Sequence, residues 1–588
     1  MHVSVFDPNH LLIGTPDGVL LRAMRSKMGG TKVREKNQII VPLRSGPKID
    51  EFTHHERANY SPGVREAIDK IASIVARREK MADVIKGQYQ SGNITFKYDY
   101  KGQYAPLSHQ KVMYNMAAHM DVCALLAEPG TCKTGPYLWA IDTRIQRGQV
   151  QKCLVITQPF LKANVLGEMR VQVPHMSGVI LDDKIQANKI LNKSYKVKKK
   201  NVDYHVYIAN YESMYSLVEL IPDGYFQMVV LDEAHRIGSA QSRQTNAIID
   251  KFEFVPYKVI VTGSLHSNNV MSFYSPFRFL GPDVVPYADF YGCREHLMYP
   301  VDDQKHIWVP TSGSESIVRD IVGKISVCFT KEECLDLPDI IYERITFSLN
   351  DSQMALYNKM KNEMIAQIDG MCAKCSKSIS CDMSCKDTVE AKNALVLLSK
   401  LRQITCGFYI QTQYDVNQET GVRTGNNAII TLDSNAKLSI LMNVLNNIPD
   451  GKKTIIWTTY THAVRTIRDA IADAYGEDSV LTCYGDDDSF AQVEKFKSPE
   501  KQWMVANQSK GGVGLNIQFS SYQVYFNNSY SWVQREQAEA RQHRQGQKDK
   551  VTVYDTVAVG TIDEIILDRL NAKESLAESL LQLAKVMR

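Results

Sequence analysis

The chain has 588 residues, of which 44% are hydrophobic and 23% charged, with 69 basic against 65 acidic side chains and a formal net charge of +4. That length exceeds a single hydrophobic core and implies two to four domains, and the composition excludes wholesale disorder. The near balance of charge does not by itself point to nucleic acid, although local basic patches can sit inside a neutral total. No apolar run is long enough to span a bilayer, and the N-terminal MHVSVFDPNH lacks the charged and apolar regions of a secretory signal.

In chain order, residues 1–100 read as a basic accessory region ahead of the first α/β unit. Within it, LLRAMRSKMGGTKVREKNQIIVPL (20–43) sets Arg22, Arg25, Lys27, Lys32, Arg34 and Lys36 beside a Gly-Gly turn and a β run. The pattern suits phosphate contacts along a nucleic-acid backbone, and equally a solvated basic helix. Short β-type runs then alternate with helical stretches: KCLVIT (152–157), HVYIA (205–209), QMVVLD (227–232) and YKVIVT (257–262). A second series follows: KTIIWT (453–458), WMVAN (503–507), YQVYFN (522–527) and VTVYDT (551–556). Apolar strands alternating with helices predict parallel sheets covered on both faces, so two series predict two α/β domains in tandem. The Gly- and Pro-containing stretch near 281–312 and the DLPD turn at 336–339 place the boundary between them around 310–340, giving lobes over 101–310 and 311–588. From Thr561 the tail has helical periodicity, with Thr561 as N-cap and Glu564 three residues on.

Three constellations carry chemistry. CALLAEPGTCKTG is an apolar strand, a loop and a helix starting near Thr134, close to the phosphate-binding pattern G-x-x-x-x-G-K-[ST] but with Cys132 where glycine belongs. In such a loop backbone N–H groups face phosphate oxygens, Lys133 reaches the β and γ phosphates, and Thr134 ligates Mg²⁺. Alone, the loop does not establish a nucleotide site. VVLDEAHRI (229–237) puts acidic residues directly after a buried strand, where Asp232 can hold Mg²⁺ and Glu233 can position and deprotonate a water. A solvated loop or helix cap is the usual reading of one such pair. In the second series, SKGGVGLNI (509–517) is a Gly-rich turn after a strand. QAEARQHRQGQ (537–547) reads as a polar helix with Arg541 and Arg544 on one face, either arginine fingers or a basic surface helix.

The order of these segments resembles the Swi/Snf-like branch of superfamily II helicases and translocases. PLSHQ (106–110) is similar to the adenine-binding Q-type motif, AEPGTCKT (127–134) to motif I, LVITQPFLKAN to Ia, IANYE (208–212) to Ib, DEAH (232–235) to II and VTGSLHSNN (261–269) to III. SFYSPFRFLGP, LPDIIYERITFSLNDSQMALY (337–357) and LSKLRQITCGF (398–408) are similar to the branch's connecting segments, and KTIIWTTYTHAV, SKGGVGLN and QAEARQHRQGQ to motifs IV, V and VI. The resemblance spans about residues 100–575. It implies two tandem RecA-like lobes that bind ATP and Mg²⁺. Gln110, Gly130, Thr131, Cys132, Lys133, Thr134, Gly512 and Gly514 would be nucleotide contacts, Thr134 and Asp232 Mg²⁺ ligands, and Asp232, Glu233, Arg541 and Arg544 catalytic. It also implies a DNA-dependent ATPase that moves on double-stranded or branched DNA largely independently of sequence and acts as a monomer. Residues 1–100 look like the small HepA-related (HARP) domain of annealing helicases, which makes remodelling or reannealing of branched DNA the sharpest expectation.

This chain departs from the family pattern at three places. Cys132 replaces a glycine, Leu265, with Ser264 before it, replaces the proline of motif III, and Ala540 replaces an acidic residue of motif VI. A Cβ at 132 costs roughly 1–2 kcal/mol if left-handed φ is required there. Ala540 removes an orienting partner for a finger arginine. Slow hydrolysis, or a DNA-binding scaffold with a crippled ATPase, is therefore the alternative expectation, and a protein-displacing remodeller a further one.

Twelve cysteines in a chain without a secretory signal predict reduced thiols and a reducing compartment: the cytoplasm of a bacterium or phage-infected host, or the nucleus of a eukaryote. Four of them, Cys372, Cys375, Cys381 and Cys385, are spaced C-x2-C-x5-C-x3-C, which can close a tetrahedral Zn²⁺ site in an insertion at 370–387 of the second lobe.

Overall fold

The computed structural model describes residues 2–7, 10–14, 31–32, 38–42, 59–100, 105–191, 196–197, 200–201, 204–263, 270–301, 308–362, 396, 398–416, 423–485, 487–511 and 517–572. They fall into two compact units, Met1–Cys334 and Leu335–Arg588.

The first unit is built on a seven-stranded sheet in the order Ser326–Phe329, Val122–Ala127, Tyr257–Thr262, Met228–Asp232, Cys153–Thr157, Val206–Asn210, Gly178–Ile180. Every neighbouring pair is parallel. The inner strands are buried along their whole length, which is why they read as continuous apolar runs rather than alternating ones. All four strands read from the first series are present. Ser326–Phe329 adds a sheet edge beyond residue 310, pairing with Val122–Ala127, so the first unit runs on through Cys334.

The described part of residues 1–100 clusters with this unit. His2–Asp7, His10–Gly14, Thr31–Lys32, Gln38–Pro42 and Asn59–Tyr60 form a small five-stranded sheet. The long helix Val64–Gln90 follows and sends Ala82 and Ile85 into the main core. Arg78 on that helix grips Asp121 in a two-pronged contact at 2.8–3.0 Å and also pairs with Asp283. Phe96, Tyr98 and Tyr100 then lie against Trp139, and the Tyr98 hydroxyl donates to Asp142 at 2.7 Å, so this segment straps the helix Thr134–Gln146.

The second unit carries a six-stranded parallel sheet in the order Ile340–Phe347, Val551–Ala558, Tyr522–Tyr525, Thr454–Thr458, Trp503–Asn507, Val480–Cys483. Trp457, Trp503 and Tyr525 fill its interior. Phe408–Val416 pairs antiparallel with Arg423–Thr431, and Phe408 is buried in the core of this unit. The last described helix, Ile562–Ala572, begins as expected. The Thr561 hydroxyl accepts from the Asp563 N–H at 3.2 Å, and Glu564 reaches back to the Gly560 N–H at 2.9 Å. Two parallel-sheet α/β lobes are thus the architecture. The four clustered cysteines, Gly512, Gly514, Ser264 and Leu265 lie outside the described residues, as do Arg22, Arg25, Lys27, Arg34 and Lys36.

Candidate active site

Three neighbouring strands of the first lobe end side by side. Val122–Ala127 leads into the glycine-bearing loop, Tyr257–Thr262 lies next to it, and Met228–Asp232 delivers the acidic pair. Parallel strands end on the same edge, so residues 100 apart in sequence converge there.

The loop is held from below and from the side. The Thr131 hydroxyl donates to the Glu128 carbonyl at 2.8 Å, and the Glu128 N–H donates to the Phe329 carbonyl at 3.1 Å. Two residues of the helix Ser108–His119 reach across. A His109 ring nitrogen meets the Thr131 carbonyl at 2.9 Å, and the Gln110 amide N–H donates to the Cys132 carbonyl at 3.1 Å. The Gln110 oxygen accepts from the Leu107 N–H at 2.9 Å, so both ends of this amide tie the preceding segment to the loop. Gly130 has φ +95° and Cys132 φ +58°. The cysteine does occupy the left-handed region where its Cβ is penalised by about 1–2 kcal/mol. Gly263, after the neighbouring strand, leaves no room for a side chain: a Cβ there would lie 2.7 Å from Pro129 Cδ and 2.9 Å from the Ala127 carbonyl oxygen.

Lys133 caps the helix Thr134–Gln146 and folds back across the loop. Its ammonium donates to the Ala127 carbonyl at 3.2 Å and lies 3.2 Å from Glu233 Oε1. Glu233 is the second non-glycine residue in the left-handed region, at φ 55° and ψ 51°. Its other oxygen is 3.4 Å from His235 Nδ1, which also meets the Thr262 hydroxyl at 3.1 Å. The Asp232 carboxylate accepts from the Thr157 hydroxyl at 3.2 Å, and its backbone carbonyl accepts from Tyr211 at 2.8 Å. Burial, then the charge of Glu233, push the Asp232 carboxyl up to about 7, against the pull of Lys133. Burial also lowers His235, favouring the neutral ring.

Two buried carboxyls thus face one lysine. That set is short of positive charge, and it offers hard oxygen donors on a strand end beside a glycine-bearing loop that opens a helix. The residues fit a divalent cation with a phosphate-bearing ligand: Thr134 and Asp232 for the metal, Lys133 and the loop for phosphate.

In the second lobe the helix Trp532–Glu539 stops before Arg541 and Arg544, which lie in the turns that follow rather than on one helical face. The cause is a pair of buried glutamine amides. Gln542 donates to the Ser520 hydroxyl at 2.6 Å and the Tyr522 carbonyl at 2.9 Å, and Gln547 to the Ser520 carbonyl at 2.8 Å. Gly546 at φ +98° completes the reversal. Both arginines are partly exposed, and Ala540 is buried at the helix end. Sequence reasoning missed the arginine that anchors this segment. Arg535 is buried, bound to Asp555 at 2.6 and 2.9 Å, paired with Glu539, and stacked 3.5 Å over the Tyr525 ring. Its signal was a QRE preceding the motif, with Asp555 inside an otherwise apolar strand. Among the described residues no group of three or more His, Cys, Asp or Glu side chains is placed to hold a metal.

The chain belongs to the SNF2-related domain family, whose profile matches residues 107–409, just over half of its length. It is 23% identical over 468 residues to the uncharacterized ATP-dependent helicase MG018 of Mycoplasma genitalium, covering 78% of this chain and 40% of that one. It is 21% identical over 415 residues to the DNA repair and recombination protein RAD54B of Homo sapiens, covering 66% and 44%. The chain therefore spans less than half the length of these curated relatives. Among solved structures, the Sulfolobus solfataricus SWI2/SNF2 ATPase core in complex with dsDNA aligns at 20% identity and a TM-score of 0.36, over 82% of this chain and 92% of that one.

Proposed function

We propose that this chain is an ATP-driven translocase on double-stranded DNA, of the Swi/Snf-like type, that remodels or reanneals branched DNA. The observation that carries the reading is the meeting of Lys133 and Glu233 at 3.2 Å, with Asp232 beside them on the same sheet edge. A phosphate-binding lysine, a metal-holding aspartate and a water-activating glutamate are the set that ATP hydrolysis requires. Relatives named for ATP-dependent helicase activity and for DNA repair and recombination support it.

In this reading Lys133 and the backbone of Gly130–Thr134 bind phosphate, Gln110 contacts adenine as well as the loop, and Thr134 and Asp232 hold Mg²⁺. ATP supplies the phosphoryl group and Mg²⁺ the charge that neutralises it. Glu233, 3.2 Å from Lys133, orients the attacking water. Arg541 and Arg544 are assigned the stabilisation of charge developing on phosphate, and Gly512 and Gly514 are assigned as nucleotide contacts. The chain acts as a monomer in a reducing compartment, and Cys372, Cys375, Cys381 and Cys385 bind one structural Zn²⁺.

A second reading, a DNA-binding scaffold with weakened turnover, is favoured by one observation: Cys132 sits at φ +58° in the phosphate loop. Steady-state ATP hydrolysis without DNA, and with duplex, forked and single-stranded DNA, separates the two. A motor is stimulated by DNA, and a scaffold binds DNA with no such response.

A further inference from the structure

A cavity of about 660 Å³ lies in the first unit at the edge of the sheet opposite the candidate active site. It opens where the strands Val122–Ala127 and Tyr257–Thr262 begin, whereas the phosphate loop and Gly263 lie where they end. The helix Thr134–Gln146 spans the interval, so the two sites are separated by roughly 20 Å.

The lining carries more positive charge than the fold uses. Arg77, Arg144, Arg147 and Lys258 all line the cavity, and among the described residues none is paired with a carboxylate. The carboxylates that line it are already engaged: Asp121 and Asp283 by Arg78, Glu253 by Arg278. Arg144 is spent on structure, donating to the carbonyls of Ala117 and Met120. Lys258 is different. It is 3% exposed and donates to the Glu253 carbonyl at 2.8 Å, leaving ammonium protons beyond that bond. Burial, with the charge of Arg278 next, lowers its pKa to about 8, a cost that an anion in the cavity would offset. On the rim stands Phe254, 81% exposed, with Met81 beside the opening at 37%. A flat apolar ring held in water next to unpaired cations is the pairing that binds a base and its phosphate.

We propose that this cavity is a second ligand site for a nucleoside phosphate, with the phosphate on Lys258, Arg77 and Arg147 and the base stacked on Phe254. The wall formed by the helix Val64–Gln90, with Arg77, lies outside the segment matched by the family profile, whereas Arg147, Phe254 and Lys258 lie within it. The ligand is either a nucleotide unit of an unpaired DNA strand or a free nucleotide. A strand held there would be kept clear of the duplex while the lobes act on it, which extends the function proposed above without depending on its catalytic residues.

The test uses the full chain and two variants, Phe254→Ala and the double variant Arg77→Glu with Arg147→Glu, all at exposed positions. Fluorescence anisotropy is read with a labelled oligothymidylate of about 20 nucleotides and, separately, with labelled deoxyadenosine monophosphate under a saturating non-hydrolysable ATP analogue. A loss of about fivefold or more in oligonucleotide affinity in both variants, with the monophosphate not bound by any of the proteins, assigns the site to an unpaired strand. A matching loss for the monophosphate assigns it to free nucleotide. Affinities within about twofold of wild type for both probes in both variants overturn the proposal. ATPase stimulation by duplex DNA is measured on the same samples. Its absence in wild type counts against the motor, whereas the cavity is judged on the anisotropy alone.

Discussion

Lys133 Nζ and Glu233 Oε1 lie 3.2 Å apart, each side chain only 10% exposed. Lys133 and Glu233 therefore neutralise one another across the sheet edge. In the function proposed above, either residue must exchange this partner before it can face phosphate or water. Lys133→Ala is expected to abolish nucleotide binding and turnover. Glu233→Gln is expected to keep the nucleotide bound while hydrolysis falls about 100-fold or more. Equilibrium binding of a fluorescent ATP analogue beside a steady-state assay separates the two. Equal loss of affinity in both variants would show that Glu233 acts in binding.

Cys132 stores backbone strain that glycine would release. Left-handed φ costs a residue with a Cβ about 1–2 kcal/mol, and glycine returns about 0.4–1 kcal/mol of that through the freer unfolded chain. Cys132→Gly should therefore stabilise the first lobe by about 0.5 kcal/mol and raise the ATPase rate, while Cys132→Ala should change neither. Thermal unfolding and steady-state hydrolysis of the pair check this. An alanine variant that matches the glycine variant would place the effect in the thiol, not in φ.

Arg78 joins the helix Val64–Gln90 to the sheet through Asp121 and Asp283. Burial pushes Asp121 upward, but its hydrogen bonds and ion pair with Arg78 outweigh it and hold the carboxyl below its usual value. A carboxyl depressed in the folded state adds stability above its unfolded pKa of about 4, and that stability is lost as pH falls through the folded value. Arg78→Met should cost about 3 kcal/mol at pH 7 and flatten the acid limb of stability, as read by denaturant titrations at several pH values. An unchanged acid limb would mean that Arg78 does not set it.

Much of this fold is legible because parallel strands buried on both faces must be continuous apolar runs, and eight of them are. Ser326–Phe329 and Ile340–Phe347 escape that pattern because they are edge strands: Cys328 is exposed, and most of the second strand faces solvent. The division between the two units falls after Cys334, inside the 310–340 interval and beyond its near end because Ser326–Phe329 pairs into the first sheet. At the site, Lys133, Asp232 and Glu233 are readable because each sits at a fixed offset from a strand end. The turn at Arg541 and Arg544 is not, since its helix is ended by the tertiary hydrogen bonds of Gln542 and Gln547. The polar spacing of that stretch is equally good helix. Likewise no local pattern marks Gln110 as a partner of the Cys132 carbonyl, because the two lie 22 residues apart.

The cysteine cluster carries its own prediction. One zinc per chain is expected by metal analysis of purified protein, and Cys375→Ser should lose it. Zinc-free wild-type protein, or full zinc in the variant, contradicts the assignment.

The most direct measurement is ATP hydrolysis by wild type and Lys133→Ala, each without DNA and with saturating duplex DNA. A wild-type rate that rises with duplex, and a Lys133→Ala rate at background in both conditions, is the predicted result. A wild-type rate indifferent to DNA, or hydrolysis that survives in Lys133→Ala, would contradict it.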